Sequence, residues 1–450
     1  MKIHLIAIGG SAMHNMALAL HEKGYLVTGS DDEIFEPSKG RLAAKGLLPD
    51  SIGWNQDRIT TDIDAVILGM HAREDNPELQ KAQELGLKIY SYPEYIYEQS
   101  KDKIRVVIGG SHGKTTTTSM VLHVMNELGI DVDYMVGAKL EGYETMVKLT
   151  KEAKYIVLEG DEYLSSPIDR RPKFHLYQPH IGMISGIAWD HINVFPTFEN
   201  YVDQFQIFAD SISESFIYCS EDKEVLSVAD KTNHGIKKEA YGIHPNRIEN
   251  GITILETTYG DFPISTFGDH NLMNMNAARL LCMSMGVEEE AFYKAIQNFT
   301  GASKRLEKIA ENSRTTVYKD FAHSPSKLKA TTAAVKKQFK DRSLIACMEL
   351  HTFSSLNKEF LKQYKGAMET ADKAIVFFSP KAIEHKRLEQ LDPAYVKDCF
   401  GSDNVEVITE TAMISSELKS TNWEDKNLLL MTSGNFGGID LDSFAQELIS

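Results

Sequence analysis

A short apolar run, a glycine-rich turn and a helical pattern follow one another in residues 104–118, which read IRVVIGGSHGKTTTT. The run Val106–Ile108 is rich in β-branched side chains and predicts a buried strand. Apolar residues then recur at helical spacing from Met120 to Leu128. A strand that passes through glycines directly into a helix is typical of α/β sheets, so this stretch restricts the surrounding chain to that fold class.

The turn has the composition of a phosphate-binding loop. Its backbone N–H groups can close on phosphate oxygens, and the helix N-terminus adds about half a positive charge. Lys114 is predicted to contact the β- and γ-phosphates of a nucleotide, and the Thr115 hydroxyl to bind Mg²⁺. Ile108 stands where the strict pattern has its first glycine, so this loop is shorter than the ordinary version.

The simpler alternative for this stretch is a glycine turn followed by a lysine-capped helix. The Gly-Lys-Thr triplet directly after a strand favours nucleotide binding over that alternative. We therefore predict ATP and Mg²⁺ as cofactors. The predicted ATP contacts in this stretch are Gly110, Ser111, His112, Gly113, Lys114, Thr115 and Thr116.

Composition limits the size of the protein and the class of its partners. A chain of 450 residues has room for about three domains of ordinary size. Hydrophobic residues make up 42% of the chain and charged residues 25%, so it can bury real cores. The net charge of −16 argues against nucleic acid as a main partner, whereas phosphate ligands need only local positive charge.

The four cysteines lie far apart in the sequence and form no C-x-x-C pair. This spacing is typical of reduced thiols, so we expect a cytoplasmic protein. The N-terminus lacks a long apolar signal region, and no apolar run reaches membrane-spanning length. We therefore expect no membrane partner, and a monomer or weak homodimer in solution.

The N-terminal segment predicts a βαβ unit. Lys2–Ile8 is an apolar strand, a glycine turn leads into a helix, and a second strand, Tyr25–Gly29, ends at Ser30 and Asp31. An acidic residue about 20 positions after the glycines resembles a dinucleotide fingerprint, although alanines flank the glycine pattern. A nicotinamide oxidoreductase is therefore an alternative function, but it leaves the Gly-Lys-Thr triplet unexplained.

Polar residues in this first segment follow the ends of its strands. Asp31 follows the second strand, and His71 comes after the third, Ala65–Leu68. Capping of a loop is the alternative role for both side chains. Open α/β sheets bind ligands at the carboxyl ends of their strands, which supports a binding role equally well. The candidate residues here are Gly9, Gly10, Ser11, Ser30, Asp31 and His71.

Two side chains that follow the phosphate loop in the sequence, one carboxylate and one histidine, are candidate metal ligands. The strand Tyr155–Leu158 ends at Glu159, where nucleotide enzymes place a Mg²⁺ ligand, although a solvated acidic turn is the alternative. His191 follows the strand Ile181–Ser185 and is a candidate metal or phosphate contact. A lone histidine, however, is more often structural.

Asn271 begins a later helix and has two readings. Its amide can recognise the paired donor and acceptor of adenine, or it can cap the helix N-terminus. Before it, Gly251–Leu255 and Pro263–Phe267 are predicted to be antiparallel strands, which indicates a mixed sheet in the central domain.

The C-terminal part again alternates strands with helices. Arg305 is a candidate phosphate clamp, and Asp320, at a strand end, a candidate ribose ligand. His323 follows three residues later; surface ion pairs are the default alternative for such groups. We predict an α/β protein of three domains: a Rossmann-like domain at 1–101, a central P-loop domain with a mixed sheet at 102–301 and a Rossmann-like domain at 302–450.

The motifs together resemble the Mur ligase family over essentially the whole chain. In family order they are Gly110–Thr116, Glu159, Asp190-His191, Gly268–Asn271, Lys304-Arg305-x-Glu307 and Asp320-Phe-Ala-His323-x-Pro325. Three segments are most similar to the murein peptide ligase (Mpl) branch, with the UDP-N-acetylmuramate–L-alanine ligases as the alternative. These segments are 159–163, 170–179 and 436–439.

This resemblance implies a function and assigns the candidate residues. It implies an ATP-dependent amide ligase of peptidoglycan recycling that joins UDP-N-acetylmuramate to L-alanyl-γ-D-glutamyl-meso-diaminopimelate, or, in the alternative branch, to L-alanine. The first domain would bind the UDP-sugar and the last the amine. By family position, Mg²⁺ would be held by Thr115, Glu159 and His191, the phosphates by Lys114 and Arg305, the adenine by Asn271 and the ribose by Asp320. The amine's proton would pass to His191 or His323.

The chain departs from the family pattern in two places. Several Mur ligases carry a carbamylated lysine shortly after the metal-binding histidine, but no lysine occurs between Lys173 and Lys223, as in the muramate-using branches. The stretch 348–353 also lacks an arginine that the resemblance predicts, which leaves Arg170 and Arg171 as candidate carboxylate clamps. A sensor that binds the UDP-sugar without catalysis is a further alternative.

Overall fold

The computed structural model describes residues 1–140, 142–189, 194–232, 235–301 and 306–449. Its strands form four sheets of four, seven, three and six strands, which confirms the predicted α/β class. The chain divides into two compact units. The first unit contains residues 1–242 and 273–296, and the second contains residues 243–272 and 297–450.

The first sheet is parallel, with the order β2-β1-β3-β4. Its strands are β1 Lys2–Ile6, β2 Leu26–Ser30, β3 Ala65–Leu68 and β4 Ile89–Ser91, and its helices are α1 Ser11–Glu22, α2 Ser38–Ala44, α3 Pro77–Glu84 and α4 Tyr92–Gln99. The first strand is shorter than predicted, because Ala7 has a φ of 66° that ends the ladder. Ile6 pairs with both Ser30 and Leu68, so the three carboxyl ends meet at one edge.

The second sheet is mixed, as predicted, with the order β11-β10-β9-β5-β8-β6-β7. Its strands are β5 Ile104–Gly109, β6 Asp133–Met135, β7 Val147–Lys148, β8 Tyr155–Glu159, β9 Ile181–Ile184, β10 Ser215–Cys219 and β11 Lys237–Tyr241. The helices of this region are α5 Lys114–Glu127, α6 Phe198–Asp210 and α7 Lys223–Lys231, followed later in the chain by α8 Asp269–Ser284 and α9 Glu289–Ile296. The predicted strand before the glycine turn is the central strand β5.

The mixed character of this sheet has a different source from the one predicted. Only the short β7 pairs antiparallel to its neighbour, β6, among the described strands of this sheet. The predicted antiparallel pair instead belongs to a separate meander in the second unit, formed by β12 Asn246–Glu249, β13 Ile252–Thr257 and β14 Gly260–Ile264. Local alternation predicts strand pairing but does not show which sheet a hairpin joins.

The last sheet has the order β15-β16-β20-β17-β18-β19 and is parallel except for its first pair. Its strands are β15 Glu307–Glu311, β16 Thr316–Asp320, β17 Ser343–Glu349, β18 Lys373–Phe377, β19 Val405–Ile408 and β20 Lys426–Met431. Its helices are α10 Pro325–Gln338, α11 Lys358–Leu361, α12 Pro380–His385, α13 Pro393–Phe400, α14 Thr411–Ser420 and α15 Leu441–Ile449.

Both faces of this last sheet are buried. On β17, Ala346 and Met348 belong to one apolar cluster, and Ile345 and Cys347 belong to the cluster on the opposite face. Alternate residues of a strand point to opposite faces, so helices must cover both sides, as in other parallel sheets. None of the helices in the described residues is long and apolar enough to cross a bilayer.

A buried carboxylate links the strands of the first sheet to the helix beside them. Glu78, in α3, is fully buried and accepts hydrogen bonds from the Ser30 hydroxyl and from the Asn55 N–H, at 2.8 Å for the latter. Its Oε2 lies 3.3 Å from Nε2 of the equally buried His4. Burial alone would raise the pKa of the Glu78 carboxyl, but the hydrogen bonds from His4, Asn55 and Ser30 lower it overall.

We predict that Glu78→Gln lowers the free energy of unfolding by about 1–3 kcal/mol, because the amide replaces a charged acceptor of several buried donors. The carboxyl has a depressed pKa in the folded state, so its stabilisation is present above the unfolded pKa and lost as the pH falls through the folded one. The difference between wild type and variant should therefore shrink below about pH 4.

Chemical unfolding followed by circular dichroism measures this effect. Glu84→Gln is a matched control, because Glu84 lies in the same helix with its side chain 66% exposed in a surface ion pair. Equal stabilities of the two variants at pH 7, or a difference that grows in acid, would contradict the predicted contribution of Glu78.

Candidate active site

The phosphate loop leaves the central strand of the seven-stranded sheet. β5 lies between β9 and β8, so the loop emerges where ligands bind to open α/β sheets. Gly113 has a φ of 79°, and a Cβ there would collide with the Asn274 side chain. Gly110 has a φ of 128°, and a Cβ there would collide with Ser185. Both positions therefore require glycine, and α5 begins directly afterwards at Lys114.

Hydrogen bonds fasten the loop to the segment after β9. The Ser111 N–H donates to the Gly186 carbonyl oxygen at 2.9 Å, and the Ser111 hydroxyl oxygen accepts the Ala188 N–H at 2.9 Å. The Ser185 hydroxyl lies against the His112 carbonyl oxygen. The loop is thus held in a fixed shape by its neighbour strand, which favours binding without reorganisation.

The Lys114 ammonium is largely buried and has two close acceptors. Its Nζ lies 2.6 Å from the Gly110 carbonyl oxygen and 2.6 Å from Oε2 of Glu162. Burial alone would lower the pKa of Lys114, but the carboxylates of Glu162, Asp161 and Glu159 raise it above its ordinary value. The side chain is therefore a fixed cation at the mouth of the loop.

The predicted metal ligands Thr115 and Glu159 lie together. The Thr115 hydroxyl donates to Glu159 Oε1 at 2.8 Å, and the Gly137 N–H donates to Oε2 at 2.8 Å. Glu159 is the last residue of β8, as the sequence predicts for a strand-end carboxylate. A hydroxyl and a carboxylate are the oxygen ligands that Mg²⁺ prefers, so the residues present fit that ion.

Two predicted residues fall outside the described part of the chain. His191, the third predicted metal ligand, and Arg305, the predicted phosphate clamp, both lie there, and their roles stay predictions. In the described residues no group of three histidine, cysteine or acidic side chains is arranged to hold a metal. His112 lies in the loop and Thr116 in the first turn of α5, where Thr116 is buried.

Glu162 was not singled out by the sequence. The run Glu159–Glu162 places three carboxylates after one strand, and the structure gives each a different partner. Glu159 faces Thr115, Asp161 pairs with Lys173, and Glu162 pairs with Lys114. The density of acidic residues directly after a strand was the available signal, but their separate partners depend on the tertiary fold.

The first sheet brings most of its candidate residues to one edge. The Gly9 N–H donates to Asp31 Oδ2 at 2.7 Å, and a Cβ on Gly10 would lie 3.9 Å from the His71 ring. Burial raises the pKa of the Asp31 carboxyl, against the Gly9 N–H, which lowers it. Ser11 begins α1. Ser30 differs from the others, because it is fully buried and its hydroxyl donates inward to Glu78.

The second unit contains the other candidate nucleotide contacts. The Asn271 amide is buried and donates to the Phe267 carbonyl oxygen at 3.0 Å. Asp320 ends β16 and accepts the N–H groups of Leu306 and Ala322 at 2.5 and 2.6 Å. His323 Nδ1 lies 2.9 Å from the Phe321 carbonyl oxygen. Because a carbonyl only accepts, Nδ1 carries a proton in this hydrogen bond.

The stretch 348–353, which lacks the predicted arginine, begins with the last two residues of β17. Glu349 is buried there and accepts the Thr432 hydroxyl and the Phe436 N–H, the latter at 2.9 Å. His351 Nδ1 lies 3.7 Å from Glu349 Oε1. In the first unit, the alternative clamp Arg171 is 2.6 Å from Asp169 and 3.3 Å from Glu94, so two carboxylates already share its guanidinium.

Sequence profiles of three domains match the chain in order. They are the Mur ligase family catalytic domain at residues 2–103, the Mur ligase middle domain at 108–282 and the Mur ligase glutamate ligase domain at 304–434. The UDP-N-acetylmuramate–L-alanine ligase of a Sulfurihydrogenibium species is 32% identical over 384 residues, which cover 83% of this chain and 82% of the relative. The chain belongs to the Mur ligase family.

Other known proteins are similar to this Mur ligase in sequence or in fold. The UDP-N-acetylmuramate–L-alanine ligase of Caldicellulosiruptor saccharolyticus is 32% identical over 390 residues, covering 83% of each chain. The alanine ligase structure from Thermotoga maritima has a TM-score of 0.69 at 20% identity, covering 97% of this chain and 96% of the other. A murein peptide ligase from Psychrobacter arcticus has a TM-score of 0.64 at 21% identity, covering 100% and 98%.

The family assignment confirms the three-domain fold and the enzyme class. Mur ligases are ATP-dependent amide ligases of peptidoglycan synthesis that in general use Mg²⁺, and this chain is one of them. This argues against the oxidoreductase alternative. The individual site residues and the domain boundaries at 101/102 and 301/302 stay predictions.

We predict that Lys114→Ala abolishes ATP-dependent ligation and leaves the fold intact. The ammonium contacts the phosphate loop at the Gly110 carbonyl oxygen, and removing it takes away transition-state charge stabilisation of roughly a hundredfold or more. Phosphate release measures the rate, and circular dichroism checks the fold. Lys151→Ala, at an exposed lysine, is the matched control. Activity near wild type in the Lys114 variant would exclude the phosphate-loop assignment.

Proposed function

We propose that this Mur ligase joins the carboxylate of UDP-N-acetylmuramate to an amine, with ATP as the source of activation. The observation that carries the proposal is the arrangement of Lys114 beside the Thr115–Glu159 pair, at the carboxyl end of the central strand. A fixed cation next to two oxygen ligands that suit Mg²⁺ is the arrangement that phosphoryl transfer requires.

A carboxylate must be activated before an amine can attack it, because its carbon is already electron-rich. Transfer of the terminal phosphoryl group to the muramate carboxylate gives an acyl phosphate, a better electrophile, and ADP leaves. Lys114 neutralises charge that develops on the transferring phosphoryl oxygens, and Arg305 is proposed to do the same. Thr115, Glu159 and His191 would hold Mg²⁺, which when bound would add further neutralisation of the phosphate charge.

The second half-reaction forms the amide. The amine nitrogen attacks the acyl carbon, and the resulting tetrahedral intermediate expels inorganic phosphate. A base must take one amine proton. His323 is one candidate, because imidazole is the usual proton acceptor near neutral pH and the hydrogen bond from its Nδ1 to the Phe321 carbonyl oxygen orients the ring. His191 is the other candidate.

The first sheet is proposed to hold the UDP-sugar. Gly9, Gly10 and Ser11 lead into the N-terminus of α1, whose N–H groups and dipole favour a diphosphate. Asp31 and His71 lie at the same edge and are proposed to contact the nucleoside or sugar hydroxyls. Ser30 is proposed to act through its bond to Glu78, by shaping the strand end under the ligand.

For the amine, we favour the tripeptide L-alanyl-γ-D-glutamyl-meso-diaminopimelate, which would place the enzyme in murein recycling. The support is the resemblance of segments 159–163, 170–179 and 436–439 to the peptide-using branch. L-Alanine is the second candidate, because relatives that are 32% identical carry the name of UDP-N-acetylmuramate–L-alanine ligase.

The four cysteines are free buried thiols, which suits a reducing cytoplasm.

We predict that phosphate release requires ATP, UDP-N-acetylmuramate and an amine together, with kcat/KM at least about tenfold higher for the tripeptide than for L-alanine, a difference of about 1.4 kcal/mol. Both amines are tested side by side in one assay. UDP-N-acetylglucosamine is the matched control, because it keeps the nucleotide and sugar but lacks the carboxylate.

Each outcome of this assay decides between the candidates. A preference for L-alanine would replace the tripeptide by the second candidate. Phosphate release with the control sugar would mean that the carboxylate is not the group activated. No release with any combination, from a protein that binds the UDP-sugar, would leave a sensor instead of an enzyme.

A further inference from the structure

We infer that Glu162 is a positioning residue that aims the Lys114 ammonium at the transferring phosphoryl group. This inference rests on the proposed function and adds a residue that the family motifs do not assign. Lys114 Nζ lies 2.6 Å from the Gly110 carbonyl oxygen and 2.6 Å from Glu162 Oε2. An ammonium has three N–H bonds at tetrahedral angles, so two such contacts determine the direction of the third.

Glu162 is itself held in a single orientation. It is 2% exposed, and its Oε1 lies 3.1 Å from the hydroxyl of Tyr201, a fully buried residue of α6. A carboxylate only accepts, so the Tyr201 O–H donates to Glu162. The Tyr201 oxygen also lies 2.9 Å from the Ser111 hydroxyl, which must then donate to it. The Ser111 oxygen in turn accepts the Ala188 N–H at 2.9 Å.

The chain of contacts therefore has one consistent direction, from the backbone after β9 to the lysine. It runs through Ala188, Ser111, Tyr201 and Glu162 to Lys114, and each donor has the acceptor its chemistry requires. Ser111 belongs to the phosphate loop itself, so the loop backbone and its cation are held by the same network. A buried ion pair is a poor source of stability, which favours a positional reason for this one.

The neighbouring carboxylate supplies an internal comparison. Asp161 is adjacent to Glu162 in the chain but pairs with Lys173. Its charge acts on Lys114, whereas its close contact is with the Lys173 ammonium. If kcat depended on the number of negative charges near Lys114, removing either carboxylate would lower kcat by a similar factor. If kcat depends on the direction of the Lys114 ammonium, only the removal of Glu162 would lower it.

The experiment measures kcat and the KM for ATP separately in the wild type and in Glu162→Ala, Glu162→Gln, Tyr201→Phe and Asp161→Asn. We expect Glu162→Ala to lower kcat about 100-fold, in line with the cost of misplacing a reacting group, while KM for ATP changes less than about threefold. Glu162→Gln should recover most of the loss, because its amide oxygen can still accept from Lys114.

The glutamine variant is expected to fold because the network can reverse. Its Nε2–H₂ would donate to the Tyr201 oxygen, and the Tyr201 hydroxyl would then donate to Ser111. Tyr201→Phe removes the donor that orients Glu162 but keeps the ring, so we expect a smaller fall in kcat, about tenfold. Asp161→Asn should stay within about threefold of wild type, as should Asp203→Asn, at an exposed position of α6.

A wild-type kcat in Glu162→Ala, or a loss in Asp161→Asn as large as the loss in Glu162→Ala, would overturn the inference. If Glu162→Ala does not fold, Tyr201→Phe still decides, because a normal kcat in that variant contradicts the inference. Failure of the proposed function looks different, since the wild type itself would then release no phosphate with any acid and amine.

Discussion

The ion pair between Lys114 and Glu162 is the contact on which the proposed phosphoryl transfer depends. Taking both charges out of water costs free energy that their attraction only partly offsets, and an apolar pair would stabilise the fold at least as well. The chain nevertheless places the pair at the end of its central strand and surrounds it with Tyr201, Ser111 and the Gly110 carbonyl. Such an arrangement is understandable where a buried cation must meet a negatively charged group that arrives from solution.

Other contacts in the first unit hold the phosphate loop in place around this ion pair. The two glycines of the loop adopt backbone angles that side chains would not allow, and Ser185 and Gly186 hold the loop against the neighbouring strand. The Thr115–Glu159 pair adds oxygen ligands for Mg²⁺ beside the lysine. The first sheet, in the same unit, ends its parallel strands at a common edge with Asp31 and His71. The sites proposed for the phosphate donor and for the sugar-borne acid are thus separate, and each is built from strand ends.

The sequence predicted best where function depends on local order along the chain. The pattern correctly predicted the strand before the phosphate loop, the helix after it and the carboxylate at the end of β8. These features depend on residues that are neighbours in the sequence. Contacts between distant segments were not predictable. The inward bond from Ser30 to Glu78 spans 48 positions, and that from Tyr201 to Glu162 spans 39. The early end of β1 was also missed, because alanine rarely adopts the φ of Ala7.

A crystal structure of the protein with Mg²⁺ and a non-hydrolysable ATP analogue would show directly whether Lys114 contacts the terminal phosphate. We expect the terminal phosphate within hydrogen-bond distance of Lys114 Nζ, with Mg²⁺ bound by the Thr115 hydroxyl and the Glu159 carboxylate. Glu162 should keep its bond to Tyr201. A nucleotide bound at Gly9–Ser11 of the first sheet instead, or phosphates more than about 5 Å from Lys114, would contradict this expectation.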